Sequence, residues 1–437
     1  MEINIEILKK YPLCHRCFGR LYAKLLHTNN FERGKALKLV KAMELESLLK
    51  KIEESGEGNK DEVLELLKCL YRSGLKEIKI KEIKEGEKIE ECPWCRGIFE
   101  KSHIEELANK AIELLKEYEF DTFMVGTHIP KEIKELEEEI ETPYMESIRQ
   151  EFGREIGKII AVKMNKQPDK TNPDIVVHIN PYTKDIYLQV NPLFIKGRYR
   201  KLVRGIPQTH WHCRFCRGKG CEKCNFTGKR YPTSVEEIIA EPFMKATKGT
   251  NEKFHGAGRE DIDVRMLGNG RPFVLEIKEP KIRKIDLNKI AEEVNKSGMV
   301  EVLNLEYGNR KDVVFFKNEP HKKTYRALVE CEEKITDEDI EKVIETCENL
   351  TIYQRTPKRV LHRRADLTRI RKVYKVWAHK IDDNHFEMKI FCDGGLYIKE
   401  LISGDDGRTS PSISEILNKK CICKELDVLE VHDEETS

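Results

Sequence analysis

Residues 254–277 read FHGAGREDIDVRMLGNGRPFVLEI, and this stretch organises the second half of the chain. Ile262, Val264 and Met266 alternate with Asp261, Asp263 and Arg265, which is the two-residue period of a strand with one covered face. Gly268-Asn269-Gly270 carries a turn signal and is expected to send the chain into a second strand over 272–277. Upstream, glycines flank a loop that delivers Arg259, Glu260 and Asp261 to the strand's edge. Such a loop lets backbone approach a substrate closely, and a carboxylate held there can serve as nucleophile or base. Taken alone, an Arg-Glu-Asp cluster is more often a surface salt bridge.

Downstream segments add to the loop. Lys323-Thr324-Tyr325 opens a strand with a tyrosine able to stack on a base. Helical spacing runs from Thr336 to Leu350, and strand-like runs cover 386–391 and 426–431. GGLYIKEL at 394–401 places one cation, Lys399, in a glycine-led strand-to-helix segment. Between them, residues 354–380 read QRTPKRVLHRRADLTRIRKVYKVWAHK, with ten Lys/Arg against one Asp, in a chain that nets only +2. Tyr374 and Trp377 interleave that charge. Concentrated positive charge with aromatic residues expects a polyanion, and folded RNA is the natural candidate. The opposing reading is a segment whose cations pair with the chain's own carboxylates.

Upstream, helical spacing covers Phe31 to Ile52 and Asp61 to Ser73, with Gly56-Glu57-Gly58 between them. Ser102 and Glu105 read as a capping box opening a further helix, and Thr142-Pro143 as the start of another running to about Met164. DIVVHINPYTKDIYLQVN at 174–191 reads as a hairpin. A basic strip follows: Phe194, Lys196, Arg198, Tyr199, Arg200, Lys201 and Arg204, expected to grip phosphate.

Eight of the fourteen cysteines fall into four C-x-x-C pairs: Cys14/Cys17, Cys92/Cys95, Cys213/Cys216 and Cys221/Cys224. Two intervening residues let both thiolates face one tetrahedral ion. The run CRFCRGKGCEKC at 213–224 puts four ligands in twelve residues and is expected to bind zinc. CHRCFGR and CPWCRGIF lie far apart but share C-x-x-C-x-G, the pattern of two knuckles of one structural site. Cys69, Cys331, Cys347, Cys392, Cys421 and Cys423 read as core or surface residues. Charged residues make 36% of the chain and apolar ones 39%, enough for real cores. No apolar run approaches a membrane span, and the start MEINIEILKK has no signal-peptide core, so an intracellular, cytoplasmic chain is expected. G-x-x-x-x-G-K-S/T, G-x-G-x-x-G after a strand and H-E-x-x-H are all absent from the sequence, which removes support for nucleotide hydrolysis, dinucleotide redox and zinc-peptidase chemistry.

The Asp-bearing R-x-D loop, the downstream Tyr325 and the G-x-Y-I-K-x-L segment together resemble the pseudouridine synthases. REDIDVRMLGNGRPF, RTPKRVLHRR and YIKELISGDDGRTSPS, with the N-terminal C-x-x-C pairs, resemble more closely the Pus-ten family of archaeal and eukaryotic tRNA pseudouridine synthases. The hairpin and basic strip at 174–204 resemble that family's RNA-binding THUMP domain. The resemblance implies an α+β protein whose catalytic domain has a central mixed, mainly antiparallel sheet with flanking helices. We expect an accessory zinc and THUMP-like domain over 1–210, a short four-cysteine zinc module over 211–230 and a catalytic domain over 231–437. The implied reaction isomerises uridine to pseudouridine in the TΨC arm of tRNA, at positions 54 and 55, with one to two structural zinc ions and no organic or nucleotide cofactor. It makes Asp261 the catalytic carboxylate, Lys399 the cation beside it and Tyr325 the ring under a flipped base, with Asp263 serving the loop structurally. Tyr397, Leu401, Lys358, Arg359, His362, Arg363, Arg364, Arg198, Arg200 and Lys201 are expected to bind the RNA. Lys399 stands where many relatives carry arginine, so bidentate binding of the carboxylate is lost there. The rival reading is a non-catalytic zinc-containing tRNA-binding or tRNA-folding protein, which has no reason to set a carboxylate inside a phosphate-gripping surface.

Overall fold

The computed structural model describes residues 3–140, 142–318, 321–362 and 364–432. It divides into two compact units, Met1–Asn191 and Pro192–Ser437.

In the first unit, Asn29 caps the long helix Asn30–Ser55 by accepting from the Glu32 amide at 2.8 Å, and Gly56, at φ +71°, ends it. This helix crosses His15–Arg20 backbone to backbone, because a Cβ on Gly19 would lie 1.9 Å from the Asn30 carbonyl oxygen. Strands β1 (Thr122–Thr127), β2 (Gln167–Pro168), β3 (Ile175–Asn180) and β4 (Asp185–Val190) form a sheet in the order β2-β1-β3-β4. The expected hairpin is β3 and β4 in antiparallel register. Ile175, Val177 and Ile179 share a core with Phe152, Ile156 and Ile160 of helix Ile148–Met164. Two helix starts differ from expectation. Lys101–Leu115 has Glu100 at its N-cap and no side-chain cap, so Ser102 opens no capping box. The helix expected from Thr142-Pro143 begins at Ile148, because Ser147 and Gln150 form its capping box.

The second unit is built on a ten-stranded, mainly antiparallel sheet. Its strands are β5 (Leu193–Lys201), β6 (Asn251–Gly256), β7 (Val264–Lys278), β8 (Val300–Tyr307), β9 (Lys323–Cys331), β10 (Thr351–Arg355), β11 (Thr368–Lys380), β12 (His385–Cys392), β13 (Thr409–Ser410) and β14 (Cys421–Val431). The order is β13-β10-β11-β12-β9-β14-β7-β5-β8, with β6 also on β7; the β14–β7 pair is parallel. Helices Val235–Thr247, Leu287–Asn295 and Asp337–Cys347 add buried residues to the same core, the last capped by Thr336.

Four expectations change here. β7 runs unbroken through Gly268-Asn269-Gly270, and these residues form a bulge where β5 shifts its partner from Arg271 to Met266. β5 lies between β7 and β8, so the boundary falls at Asn191/Pro192, not at 210, and Cys213–Cys224 belongs to the second unit. The basic strip is tied to its own protein. Lys201 is fully buried, Arg198 donates to the Asn269, Gly270 and Val431 carbonyls, and Arg200 to the Gly268 carbonyl and Glu301. Finally, Cys331 and Cys421 are joined as a disulfide across β9 and β14.

Candidate active site and two cysteine clusters

The loop between β6 and β7 carries Asp261, and buried charge on both sides of it fixes its path. Arg271 on β7 donates to Glu260 at 2.8 Å and to the Ala257 carbonyl at 2.9 Å. The Tyr199 hydroxyl lies 2.8 and 2.9 Å from the two Glu260 oxygens, and Gln208 donates to both Tyr199 and the Gly258 carbonyl. Lys201 reaches up from β5 to the backbone carbonyls of Asp261 and Ile206 at 3.0 Å each, and of Ile262 at 3.3 Å. Burial pushes the Lys201 ammonium down to about 8. These bonds hold the backbone from beneath and leave the Asp261 side chain at the surface of the loop, 31% exposed.

Cations from two distant segments meet that carboxylate. Arg359, in the short 3-10 turn Lys358–Val360, donates Nη1 to Asp261 Oδ2 at 2.6 Å and Nε to Glu400 at 2.6 Å. Lys399, at the start of helix Ile398–Ser403, lies 3.8 Å from Asp261 Oδ2 but only 2.6 and 2.8 Å from the Asp263 oxygens. The expected partner of Asp261 is thereby corrected: Arg359 takes the short bond, and Lys399 spans the two aspartates. Burial acts to raise the Asp263 carboxyl, but the bonded Lys399 ammonium outweighs it and holds it below the usual carboxylate range. Trp211, Arg259, Asp261, Ile262, Asp263, Arg359 and Lys399 line a pocket of about 210 Å³.

Trp211 is the aromatic ring of that pocket, with the Arg259 and Arg230 guanidinium groups each 5.0 Å from its centroid. Sequence reasoning missed it, since THWHC carries no motif. Glu400 and Arg271 lie inside quoted segments but were missed because their roles depend on partners distant in sequence, Arg359 for Glu400 and the loop residue Glu260 for Arg271. Tyr325 sits in the sheet beside these groups, 9% exposed, and burial raises its phenol so that it stays protonated. Tyr397 is half-buried at the helix start, with Arg359 5.7 Å from its ring centroid. Leu401 is 1% exposed and belongs to the core, so its expected RNA contact is withdrawn. Lys358 pairs with Asp406 at 2.5 Å; His362 and Arg364 are exposed, and Arg363 lies outside the described residues. Engaged within their own sheet, Lys201 and Arg198 act on carbonyls and not on phosphate.

The cysteines assemble into two groups, Cys14/Cys17/Cys92/Cys95 and Cys213/Cys216/Cys221/Cys224, each with its sulfurs within 4.8 Å of one another. Four thiolates about 2.3 Å from one zinc stand about 3.8 Å apart along a tetrahedron's edges. The Cys14–Cys95, Cys213–Cys221, Cys216–Cys224 and Cys221–Cys224 sulfurs are 3.6, 3.9, 3.8 and 3.7 Å apart. Amides point at the sulfurs, as from Gly220 to Cys216 at 3.2 Å and from Gly228 to Cys224 at 3.3 Å. Fully buried Arg20 donates to Cys17 at 3.3 Å and to Glu151 at 2.6 Å, placing positive charge where a four-thiolate site is negative. Both groups fit a metal ion.

Matches to known proteins put the chain in the class of pseudouridine synthases. It belongs to the Pus10 family: the family model described as Pus10, C-terminal, matches residues 194–432, and that of the archaeal Pus10 THUMP domain matches 107–180. The tRNA pseudouridine synthase Pus10 of Methanocaldococcus jannaschii is 75% identical, over 99% of this chain and 94% of that one. Those of Methanococcus voltae and Pyrococcus furiosus are 50% and 44% identical, covering 99% of this chain and 99% and 98% of theirs. A solved Cbf5-Nop10-Gar1 complex matches at 18% identity over 45% of each chain, with a TM-score of 0.29. Among the described residues no helix is long and apolar enough to cross a membrane.

Proposed function

We propose that this chain isomerises uridine to pseudouridine in the TΨC arm of tRNA, at positions 54 and 55, as a cytoplasmic enzyme. The observation that carries the reading is the Asp261 carboxylate, held at a pocket mouth by Arg359 at 2.6 Å with Lys399 at 3.8 Å. Family membership supports it. The target nucleotide must leave its stack to reach such a pocket. Arg359 occupies Oδ2, so Oδ1 is the oxygen that either attacks C1′ or removes the C2′ proton. As it does so the C1′–N1 bond breaks and its electron pair leaves with the uracil. The uracil turns and C5 bonds to C1′, displacing the carboxylate in the first case and regaining the proton at C2′ in the second; the C5 proton then departs and N1 gains one. Lys399, shared between Asp261 and Asp263, balances the negative charge of the pair. Tyr325 supports the base with its protonated ring, and Trp211, Arg259 and Tyr397 bound the space into which it turns. Lys358, Arg363 and Arg364 bring positive charge to the tRNA backbone, with His362 among them as a hydrogen-bonding ring. Two structural zinc ions complete the chain, one per cysteine group; zinc supplies cross-links between segments and takes no part in the reaction.

The test incubates the chain with unmodified tRNA transcript and maps pseudouridine in the TΨC arm. Asp261→Asn keeps the shape and most hydrogen bonds, so pseudouridine formation should vanish while tRNA binding stays within about threefold. Formation at a near-normal rate would move the role to Asp263; an inactive wild-type chain that binds tRNA would favour the binding-protein reading.

A further inference from the structure

The sheet of the first unit lays one face on the core, and the other face is open only in part, since Val176 there is buried. Phe123, Ile175, Val177 and Ile179 are buried in the core, and Ile186, Leu188 and Val190 pack against it. By the two-residue period, the open face carries the alternate positions. There His128, just past β1, His178 on β3 and Tyr187 on β4 come together. The ring centroids of His178 and Tyr187 are 4.6 Å apart with planes 13° from parallel; His128 and His178 are 5.0 Å apart at 30°; His128 and Tyr187 are 6.1 Å apart at 23°. Since the widest separation is only 6.1 Å, the rings make a compact triangle, with His178 stacked on Tyr187 and His128 tilted against His178.

Their edges are bonded to one another. His128 Nε2 lies 2.8 Å from His178 Nδ1 and 3.4 Å from the Tyr187 hydroxyl, and His178 Nε2 lies 3.3 Å from Gln189. The neighbouring strand makes room: a Cβ on Gly126 would stand 2.9 Å from His178 Nδ1. Tyr187 is 55% exposed and His128 is exposed as well. Burial, together with His178 and Arg149 close by, pushes His128 below the usual histidine range.

We propose that this triangle is a stacking platform for an unpaired nucleobase of the RNA substrate, with Tyr187 carrying the contact and the two histidines fixing its ring. The inference rests on the RNA-substrate reading above and adds a second contact point, on the accessory unit. An exposed tyrosine ring braced by two histidine rings, with its polar edges already bonded, matches a base face, and base–aromatic stacking is tolerant of sequence. A duplex hides its base faces, and a protein partner calls for a pocket that can take an anchoring side chain. Nearby Arg149 gives positive charge for the nucleotide's phosphate.

The experiment uses the full chain and fluorescence anisotropy with three probes: an unstructured single-stranded RNA hexamer, a short RNA duplex and unmodified tRNA transcript. Tyr187→Ala should weaken binding of the hexamer and the tRNA about tenfold and leave the duplex unchanged, at an unaltered thermal midpoint. Tyr187→Phe keeps the ring and should stay within about twofold of wild type, and His128→Ala, at an exposed position, should weaken the hexamer about threefold. Unchanged hexamer and tRNA binding in Tyr187→Ala overturns the platform, as does a Phe variant as weak as Ala. Pseudouridine formation by the wild-type chain separates the two readings. If it forms while Tyr187→Ala binds normally, only the platform fails. If none forms while hexamer binding drops, the platform stands and the catalytic reading fails.

Discussion

Replacing Glu260 by Gln tests whether the buried charge beneath the loop is what sets the loop's path. Glu260 and Arg271 have side chains 0% and 1% exposed, so solvent screening does not discount their pairing. Removing one partner of such a pair leaves an uncompensated buried charge, at a cost of about 3–5 kcal/mol. Gln keeps the shape and one oxygen, and Arg271 keeps its bond to the Ala257 carbonyl, so we expect the lower end, about 3 kcal/mol. With a urea dependence of about 3 kcal/mol per molar for a unit of this size, the unfolding midpoint should fall by about 1 M. Turnover should fall about tenfold rather than vanish, because Lys201 still holds the Asp261 carbonyl. The assay is urea unfolding of the full chain followed by intrinsic fluorescence, with Trp211 close to the loop. Glu260→Leu combined with Arg271→Met removes both charges and should recover most of the midpoint. A Glu260→Gln midpoint within about 0.3 M of wild type would refute the reasoning, since a pair this buried cannot be broken at so little cost.

Arg359→Lys should slow pseudouridine formation by about two orders of magnitude with a change in tRNA Kd of less than about threefold, because one ammonium cannot hold Asp261 and Glu400 together as the guanidinium fork does; near-normal turnover would show that charge alone suffices. Lys201 titrates at about 8 in the fold against an ordinary 10.5, so between these values the unfolded chain carries a proton that the folded chain has released. This group therefore makes the fold more stable as pH rises, while the neutral amine has lost a donor to the loop carbonyls. Turnover should fall across about pH 8–9 with no fall in the unfolding midpoint from this group, and a parallel loss of both would sink the assignment. Purified protein should hold two zinc ions by elemental analysis, Cys92→Ser and Cys216→Ser should each remove one, and Cys92→Ser should destabilise the first unit; unchanged metal content in either variant would disprove that site.

The glycine-flanked loop and the four cysteine pairs were legible because their signals are local. Alternation over 262–266, glycines at a loop and two-residue cysteine spacing each follow from backbone geometry over a few residues. What failed was what depends on a strand's neighbours. Gly268 and Gly270 have positive φ in a bulge as they would in a hairpin, and only the shift of β5 from Arg271 to Met266 distinguishes the two. The strip at 194–204 reads as solvent-facing because lysine and arginine are seldom buried, yet β5 is flanked on both sides and its cations neutralise carbonyls and carboxylates within the sheet.

Partner choice in the site was the least legible feature. With 79 basic and 77 acidic residues, many cations compete for any one carboxylate on paper. The structure decides by orientation: Glu400, whose side chain is 7% exposed, fixes one edge of Arg359, and the other edge then meets Asp261. Lys399, from the segment that most resembles the wider superfamily, is drawn instead to Asp263, which is 66% exposed and approachable from solvent. A guanidinium already anchored on a buried carboxylate loses little further freedom when it holds a second one, whereas a lysine must give up its rotamers to do so. The Asp261 carboxylate is thus oriented by a residue whose sequence context, RTPKRV, reads first as a grip for RNA, and it is the opposing reading, pairing with the chain's own carboxylates, that Arg359 follows.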